Sequence, residues 1–105
     1  MIRISRIIAV DFDDTLFNSN HYDVGTPKWD IINKVKAEKR KGSKIILWTC
    51  RQGEALQEAI DACNSVGLTF DAINDNIKEV TDAIRENPRK VIATEYWDDH
   101  ARRIK

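Results

Sequence analysis

Hydrophobic residues of this chain gather in four short runs, at residues 7–10, 44–48, 68–73 and 91–97. The first run, Ile7-Ile8-Ala9-Val10, has no polar residue in it, which is typical of a strand that is buried on both faces of a parallel sheet. Between the runs, apolar residues recur with helical spacing. The resulting order, strand–helix–strand–helix–strand–helix–strand, predicts right-handed βαβ crossovers and an α/β domain with helices on both faces of a parallel sheet.

Local signals set the expected ends of the helices. Thr26 and Pro27 fit an N-cap and a first helical position, and Gly42 fits the end of that helix. The second and third helices are expected over about residues 54–65 and 77–86. The polar stretch from residue 17 to residue 26 has no helical period and predicts a turn-rich loop.

Composition and charge narrow the class of protein. The chain has 105 residues, which suits a single domain over residues 1–105. Its 17 basic and 17 acidic residues give a net charge of zero, so charge provides no argument for binding nucleic acid or an anionic membrane. No apolar run approaches the ~20 residues that span a bilayer. The two cysteines, Cys50 and Cys63, suit reduced thiols, and we expect a cytoplasmic protein.

Groups that could carry chemistry follow three of the four predicted strands. They are Asp11 and Asp13 after the first, Thr49 after the second, and Asp98 and Asp99 after the fourth. Parallel strands place these residues at one edge of the sheet, where α/β folds bind ligands. Acids that merely end strands would not be expected to recur in this way. Crowded carboxylates suit Mg²⁺, and a carboxylate beside a hydroxyl and a lysine suits phosphoryl transfer.

These residues resemble the motifs of the haloacid dehalogenase superfamily. Residues 11–16, Asp-Phe-Asp-Asp-Thr-Leu, resemble its first motif, DxDxT, and residues 45–49 resemble its second, an apolar strand that ends in Thr. Residues 96–99 resemble the fourth motif, and Lys90 lies where the third-motif lysine is expected. The resemblance extends from residue 7 to residue 101 and is strongest to small capless phosphatase-like members. It implies a Rossmann-like three-layer α/β/α domain with strand order 3-2-1-4 and no cap domain.

The resemblance also implies roles for individual residues. Asp11 would be the nucleophile that forms an aspartyl-phosphate, and Asp13 would be the general acid and then the general base. Thr49 and Lys90 would bind the phosphoryl oxygens. The Mg²⁺ ligands would be Asp11, the backbone carbonyl of Asp13 and Asp98, with Asp99 as a further ligand or as an orienting residue.

Three features depart from the family pattern or leave it open. Asp14 occupies a place where the family commonly has Gly, which adds negative charge and restricts the turn. Lys78, at the start of the third predicted helix, is a rival to Lys90 as the phosphate-site lysine. The family sheet usually has a fifth strand, so the edge of the sheet and the oligomeric state stay open, and a homo-oligomer is compatible with the sequence.

Other residues near the predicted edge have two interpretations each. Arg51 is a candidate substrate clamp or a partner in a surface salt bridge. Trp48 and Trp97 fit packing in the core or at its rim better than they fit substrate platforms. Residues 18–25 could form the short flap that the family carries over its active site, or a plain surface loop.

The sequence thus favours a Mg²⁺-dependent phosphatase that acts on a phosphorylated small molecule or macromolecule. A phosphotransferase of the same superfamily is an alternative, because the residues do not reveal whether water accepts the phosphoryl group. A non-enzymatic, phosphorylation-responsive binding module similar to response-regulator receivers is another. Receivers, however, are phosphorylated after their third strand, whereas the DxDxT pattern here follows the first.

Overall fold

The structure is a computed structural model that describes residues 6–20, 23–85, 87 and 91–98. Its elements, in chain order, are β1 (Ile7–Val10), β2 (Phe17–Asn20), β3 (Asp23–Pro27), α1 (Trp29–Arg40), β4 (Lys44–Leu47), α2 (Gly53–Ser65), β5 (Ala72–Ile73), α3 (Lys78–Ile84) and β6 (Glu95–Trp97). Within the described ranges, no helix combines the length and the apolar character needed to cross a membrane.

A parallel sheet of four strands, in the order β5-β4-β1-β6, organises the fold. In its centre, Val10 of β1 pairs with Leu47 on one side and with Trp97 on the other. All four strands therefore present their carboxyl ends at one edge. The predicted α/β class with a parallel sheet is confirmed.

Two apolar clusters lie on the two faces of this sheet. Alternate residues of β1 divide between them, as the alternation of side chains along a strand requires. Ile8 and Val10 belong to the cluster that packs with α1 and α2, whereas Ile7 and Ala9 belong to the cluster that includes α3. This division explains the unbroken apolar run in the sequence, because every side chain of β1 is buried on one face or the other.

The predicted start of the first helix is wrong by two residues. Thr26 and Pro27 belong to β3, and α1 begins at Trp29. Strand pairing overrides the capping signal here, since the Thr26 hydroxyl accepts a hydrogen bond from the Asn18 side chain at 2.9 Å. Pro27 pairs with Phe17 in a two-stranded sheet, where a proline at a strand end is tolerated.

The last two parallel strands are shorter than the apolar runs that predicted them. Just before each of these strands begins, a side-chain oxygen accepts a backbone N–H of the neighbouring strand. The Asp71 carboxylate accepts the N–H of Ile45 at 2.8 Å, and the Thr94 hydroxyl accepts the N–H of Ile7 at 2.9 Å. Regular strand pairing therefore begins only after Asp71 and Thr94. The second helix lies within one residue of its prediction, and α3 is shorter than predicted.

The stretch predicted as a turn-rich loop is an antiparallel hairpin formed by β2 and β3. The pairing includes Ser19 with Val24, and β3 also contacts α2. A Cβ atom at Gly25 would lie 2.6 Å from the carbonyl oxygen of Asn18, so the two strands approach too closely there for any other residue without a shift. Few residues in the hairpin are apolar, which is why hydrophobic periodicity did not reveal it.

Candidate active site

The carboxyl ends of three neighbouring strands place Asp11 between Trp48 and Asp98. The N–H of Asp11 donates to the carbonyl of Trp97 at 2.8 Å, and the N–H of Trp48 donates to the carbonyl of Val10 at 2.9 Å. The strand pairing therefore continues one residue beyond β1 on both sides. Adjacent strands lie about 4.8 Å apart, so Asp11 has Asp98 as a close neighbour on one side and Trp48 on the other.

Asp11, Trp48 and Asp98 also share a face of the sheet. Each stands two positions beyond a residue of the α3-side cluster, namely Ala9, Ile46 and Tyr96 respectively. Side chains alternate along a strand, so the later residues continue the same face. Asp11 and Asp98 are both half-buried. The structure thus brings together two of the carboxylates that the sequence analysis assigned to one site.

Asp13 is held by two residues from different elements. The buried Arg51 side chain directs Nη2 to Asp13 Oδ1 at 2.7 Å and Nε to Oδ2 at 3.0 Å. From β2, the Ser19 hydroxyl donates to Asp13 Oδ1 at 2.5 Å. This bidentate geometry fixes the orientation of the carboxylate as well as its charge. The sequence did not indicate Ser19, because Ser19 reaches Asp13 only through the hairpin of β2 and β3, which was not predicted.

Arg51 is only 1% exposed, which is unusual for an arginine. Its Nη1 donates to the carbonyl of Ala55 in α2 at 3.1 Å, and its guanidinium lies 4.9 Å from the centre of the Phe12 ring. The Phe12 ring in turn stacks on Phe17 at 5.2 Å. A surface salt bridge was one of the two interpretations of Arg51, but its guanidinium is buried and contacts the half-buried Asp13 from the interior. A clamp role for Arg51 on substrate stays a prediction.

The surroundings of Asp13 lower its pKa. Burial opposes ionisation, but the hydrogen bonds from Arg51 and Ser19, together with the positive charge of Arg51, outweigh it. Asp13 is consequently an ionised carboxylate at neutral pH. In this state it can accept a proton.

Thr49 follows β4, two residues beyond its last residue. Its N–H donates to the Asn74 side chain at 2.7 Å, and its hydroxyl oxygen accepts the N–H of Arg51 at 3.1 Å. The hydroxyl proton of Thr49 is thereby directed away from that N–H and can be donated elsewhere. Asn74 has a left-handed backbone, with φ of 51°, and its own N–H bonds to Leu47. Only its place in a turn signal could have suggested Asn74 from the sequence.

The departure at Asp14 has a conformational explanation. Asp14 adopts a φ of 61°, a left-handed conformation that glycine favours and that Asp tolerates better than most residues. Its carboxylate accepts the N–H of Ser19 at 2.9 Å, and its carbonyl accepts the ammonium of Lys28 at 2.9 Å. These bonds hold the turn that glycine would form without assistance. Lys28 also brings a positive charge to the acidic turn, a contact that local sequence signals did not indicate.

Two of the predicted residues, Lys90 and Asp99, lie outside the described residues, and their roles stay predictions. The rival lysine, Lys78, is exposed on α3. Its ammonium lies 2.7 Å from the carboxylate of Asp82, four residues along the helix. The hydrogen bond to Asp82 raises the pKa of Lys78. Lys78 is therefore engaged on the helix surface in this structure.

The donor set of the edge suits a hard cation. Among the described residues, no three His, Cys, Asp or Glu side chains gather closely enough to hold a metal ion. Asp11 and Asp98 nevertheless offer two neighbouring carboxylates, and the carbonyl of Asp13 is the third oxygen that the resemblance implies. Mg²⁺ is commonly held by one or two carboxylates and completes its shell with water and substrate oxygens, so these residues fit it.

Comparison with solved structures identifies a structural relative of this chain. No family model and no curated protein matches the chain. A solved structure of a conserved protein from Bacteroides thetaiotaomicron is similar, with a TM-score of 0.81 and 32% sequence identity. The match covers 93% of this chain and 78% of that one.

Proposed function

We propose that this chain, which belongs to the same family as the conserved Bacteroides thetaiotaomicron protein, is a Mg²⁺-dependent phosphatase of the haloacid dehalogenase superfamily. It would hydrolyse a phosphate monoester through an aspartyl-phosphate on Asp11. The observation that carries the proposal is the position of Asp11. Asp11 directly follows β1, and Asp98 lies beside it. Asp13, two residues beyond Asp11, has its carboxylate held by Arg51.

The proposal includes a Rossmann-like three-layer α/β/α core of the capless type. The observed pairing β5-β4-β1-β6 supports the strand order 3-2-1-4 when only the four parallel strands are counted along the chain. Between β1 and α1 the described residues form a short hairpin, which fits the flap of the superfamily and is too small to be a cap domain. The substrate, a phosphorylated small molecule or macromolecule, would then cover an open site. The free thiols of Cys50 and Cys63 support a cytoplasmic location.

In the first step, a carboxylate oxygen of Asp11 attacks phosphorus. The bond between phosphorus and the ester oxygen breaks, and its electron pair stays on the departing oxygen. That oxygen takes a proton from the protonated form of Asp13, which is the minor form at neutral pH because Arg51 and Ser19 lower the pKa of Asp13. The hydroxyl of Thr49 donates a hydrogen bond to the phosphoryl group, and the positive charge of Lys90 offsets the negative charge of that group. When bound at Asp11, Asp98 and the Asp13 carbonyl, with Asp99 as a further ligand or orienting residue, Mg²⁺ supplies charge neutralisation.

In the second step, water attacks the phosphorus of the aspartyl-phosphate, and the carboxylate of Asp11 is released. Asp13 takes the proton from this water. The ionised form of Asp13, which Arg51 and Ser19 stabilise, is the form that this step needs. The ion pair of Asp13 and Arg51 therefore supports the general-base role most directly.

Hydrolysis of p-nitrophenyl phosphate, measured with and without Mg²⁺, tests the proposal. We expect metal-dependent activity that falls by about 10³-fold or more in Asp11→Asn, because no other described carboxylate occupies the end of the central strand. Asp30→Asn is the matched control, since it removes an exposed carboxylate from the first turn of α1. Activity that survives Asp11→Asn, or that needs no metal, would overturn the mechanism.

A further inference from the structure

Trp48 is the large apolar residue that stands next to Asp11. Its side chain is 40% exposed, although the three residues before it, Ile45, Ile46 and Leu47, are completely buried. Tryptophan is usually buried to a much greater extent, because its ring system contributes a large apolar area. The packing role that the sequence favoured for Trp48 therefore accounts for only part of its surface.

The position of Trp48 in the sheet indicates which face of the sheet its exposed side chain lies on. It continues the face on which α3 packs, where Ile77 and Val80 cover Ile46 and Ala9. The described members of that apolar cluster do not include the next row along the face, which contains Trp48, Asp11 and Asp98. In that row the carboxylate of Asp98 lies on one side of Asp11, and the indole of Trp48 belongs to the strand on the other side.

We propose that Trp48 is a substrate-binding residue that stacks on a planar aromatic ring, so that the substrates are phosphate monoesters of an aryl alcohol or a nucleoside. The inference rests on the proposed function for the location of the phosphoryl group at Asp11. A cation beside Asp98 would hold the phosphoryl oxygens, and the organic part of the ester would extend to the other side, over the indole. Of the large hydrophobic residues that are exposed in the described part of the chain, Trp48 is the one that directly follows a strand paired with β1.

Stacking of a nucleobase on an aromatic side chain is a sizeable interaction that depends little on which base it is. Its loss is expected to weaken binding by about 5- to 100-fold. The effect should depend on the ring of the ligand, because a phosphate ester of an alkyl alcohol has no face to present to the indole.

Binding is best measured in the Asp11→Asn background with Mg²⁺ present, so that no probe is consumed. The probes are adenosine monophosphate, phenyl phosphate and glycerol phosphate, titrated by calorimetry. We expect Trp48→Ala to weaken at least one aromatic probe by about 5- to 100-fold and to leave glycerol phosphate within about twofold. Trp48→Phe should retain most of the affinity. Trp29→Ala is the matched control, since Trp29 is 50% exposed on α1 and has Lys36 over its ring at 5.7 Å.

The pattern of loss decides the outcome. A loss confined to adenosine monophosphate assigns a nucleobase, and a loss confined to phenyl phosphate assigns an aryl ring directly on the ester oxygen. Equal loss for all three probes, no loss with Trp48→Ala, the same loss with Trp29→Ala, or no binding of any probe would overturn the inference. Failure of the proposed function would appear differently, as a wild-type protein that binds an aromatic probe through Trp48 but does not hydrolyse it.

Discussion

The buried ion pair between Arg51 and Asp13 should make a large and measurable contribution to stability. The side chain of Arg51 is 0% exposed and that of Asp13 is 23% exposed. Removing one partner of a buried pair typically costs 3–5 kcal/mol, because the other charge is left without compensation. Asp13 retains some contact with water and the hydrogen bond from Ser19, so we expect the lower end, about 3 kcal/mol, for Arg51→Met.

A double-mutant cycle separates the pair from the other contacts of Arg51, such as that with Ala55. Urea unfolding of the wild type, Arg51→Met, Asp13→Asn and the double variant should give a coupling free energy of about 2 kcal/mol. Lys78 and Asp82 provide a matched control, since their atoms lie at the same 2.7 Å but their side chains are 84% and 62% exposed. That exposed pair should couple by less than about 0.5 kcal/mol. Coupling of Arg51 and Asp13 as small as that of the control would refute the argument that burial makes this pair strong.

Three further results are expected from the same structure. The pKa of Asp13 is lower in the folded protein than in the unfolded chain, so its contribution to stability is present above about pH 4 and is lost as pH falls through the folded value. Asp13→Asn should therefore show a shallower decrease of the unfolding free energy below that pH, and an unchanged slope would contradict this assignment. Burial raises the pKa of the Cys63 thiol to about 12, whereas Cys50 is exposed. A thiol reagent at pH 8 should therefore modify Cys50 in the native protein and Cys63 only after unfolding. Rapid modification of both cysteines in the native protein would contradict the burial of Cys63. Gly25→Ala should destabilise the hairpin by about 1–3 kcal/mol because its Cβ would meet the Asn18 carbonyl, a cost that urea unfolding measures and that a neutral result would exclude.

Sequence patterns predicted the sheet well because its strands carry the strongest hydrophobic signal in the chain. The apolar run of β1 and the turns at strand ends were sufficient to place Asp11, Thr49 and Asp98 at the ends of three parallel strands. The hairpin escaped prediction because its strands are short, mostly polar and held largely by pairing with each other. At Thr26, strand pairing and the local capping signal favour different structures, and Thr26 pairs in β3 rather than capping α1.

The supports of the site were harder to foresee than the residues at its centre. Ser19 reaches Asp13 only because the hairpin folds back, and Arg51 turns inward because Phe12 and the Ala55 carbonyl form its pocket. Neither contact has a signature in local spacing. The left-handed conformation of Asp14 likewise becomes evident only from the backbone, although its place in a motif that usually has glycine was an indication.

The central claim, that Asp11 becomes phosphorylated, can be tested by trapping the intermediate. The protein would be mixed with a labelled phosphate monoester and Mg²⁺, quenched in acid within the first turnover, digested and analysed by mass spectrometry. We expect a phosphate that is labile to hydroxylamine, as an acyl-phosphate should be, on the peptide that contains Asp11, and none in Asp11→Asn. A stable phosphate on another residue, or turnover of the ester without any label on the protein, would contradict the account.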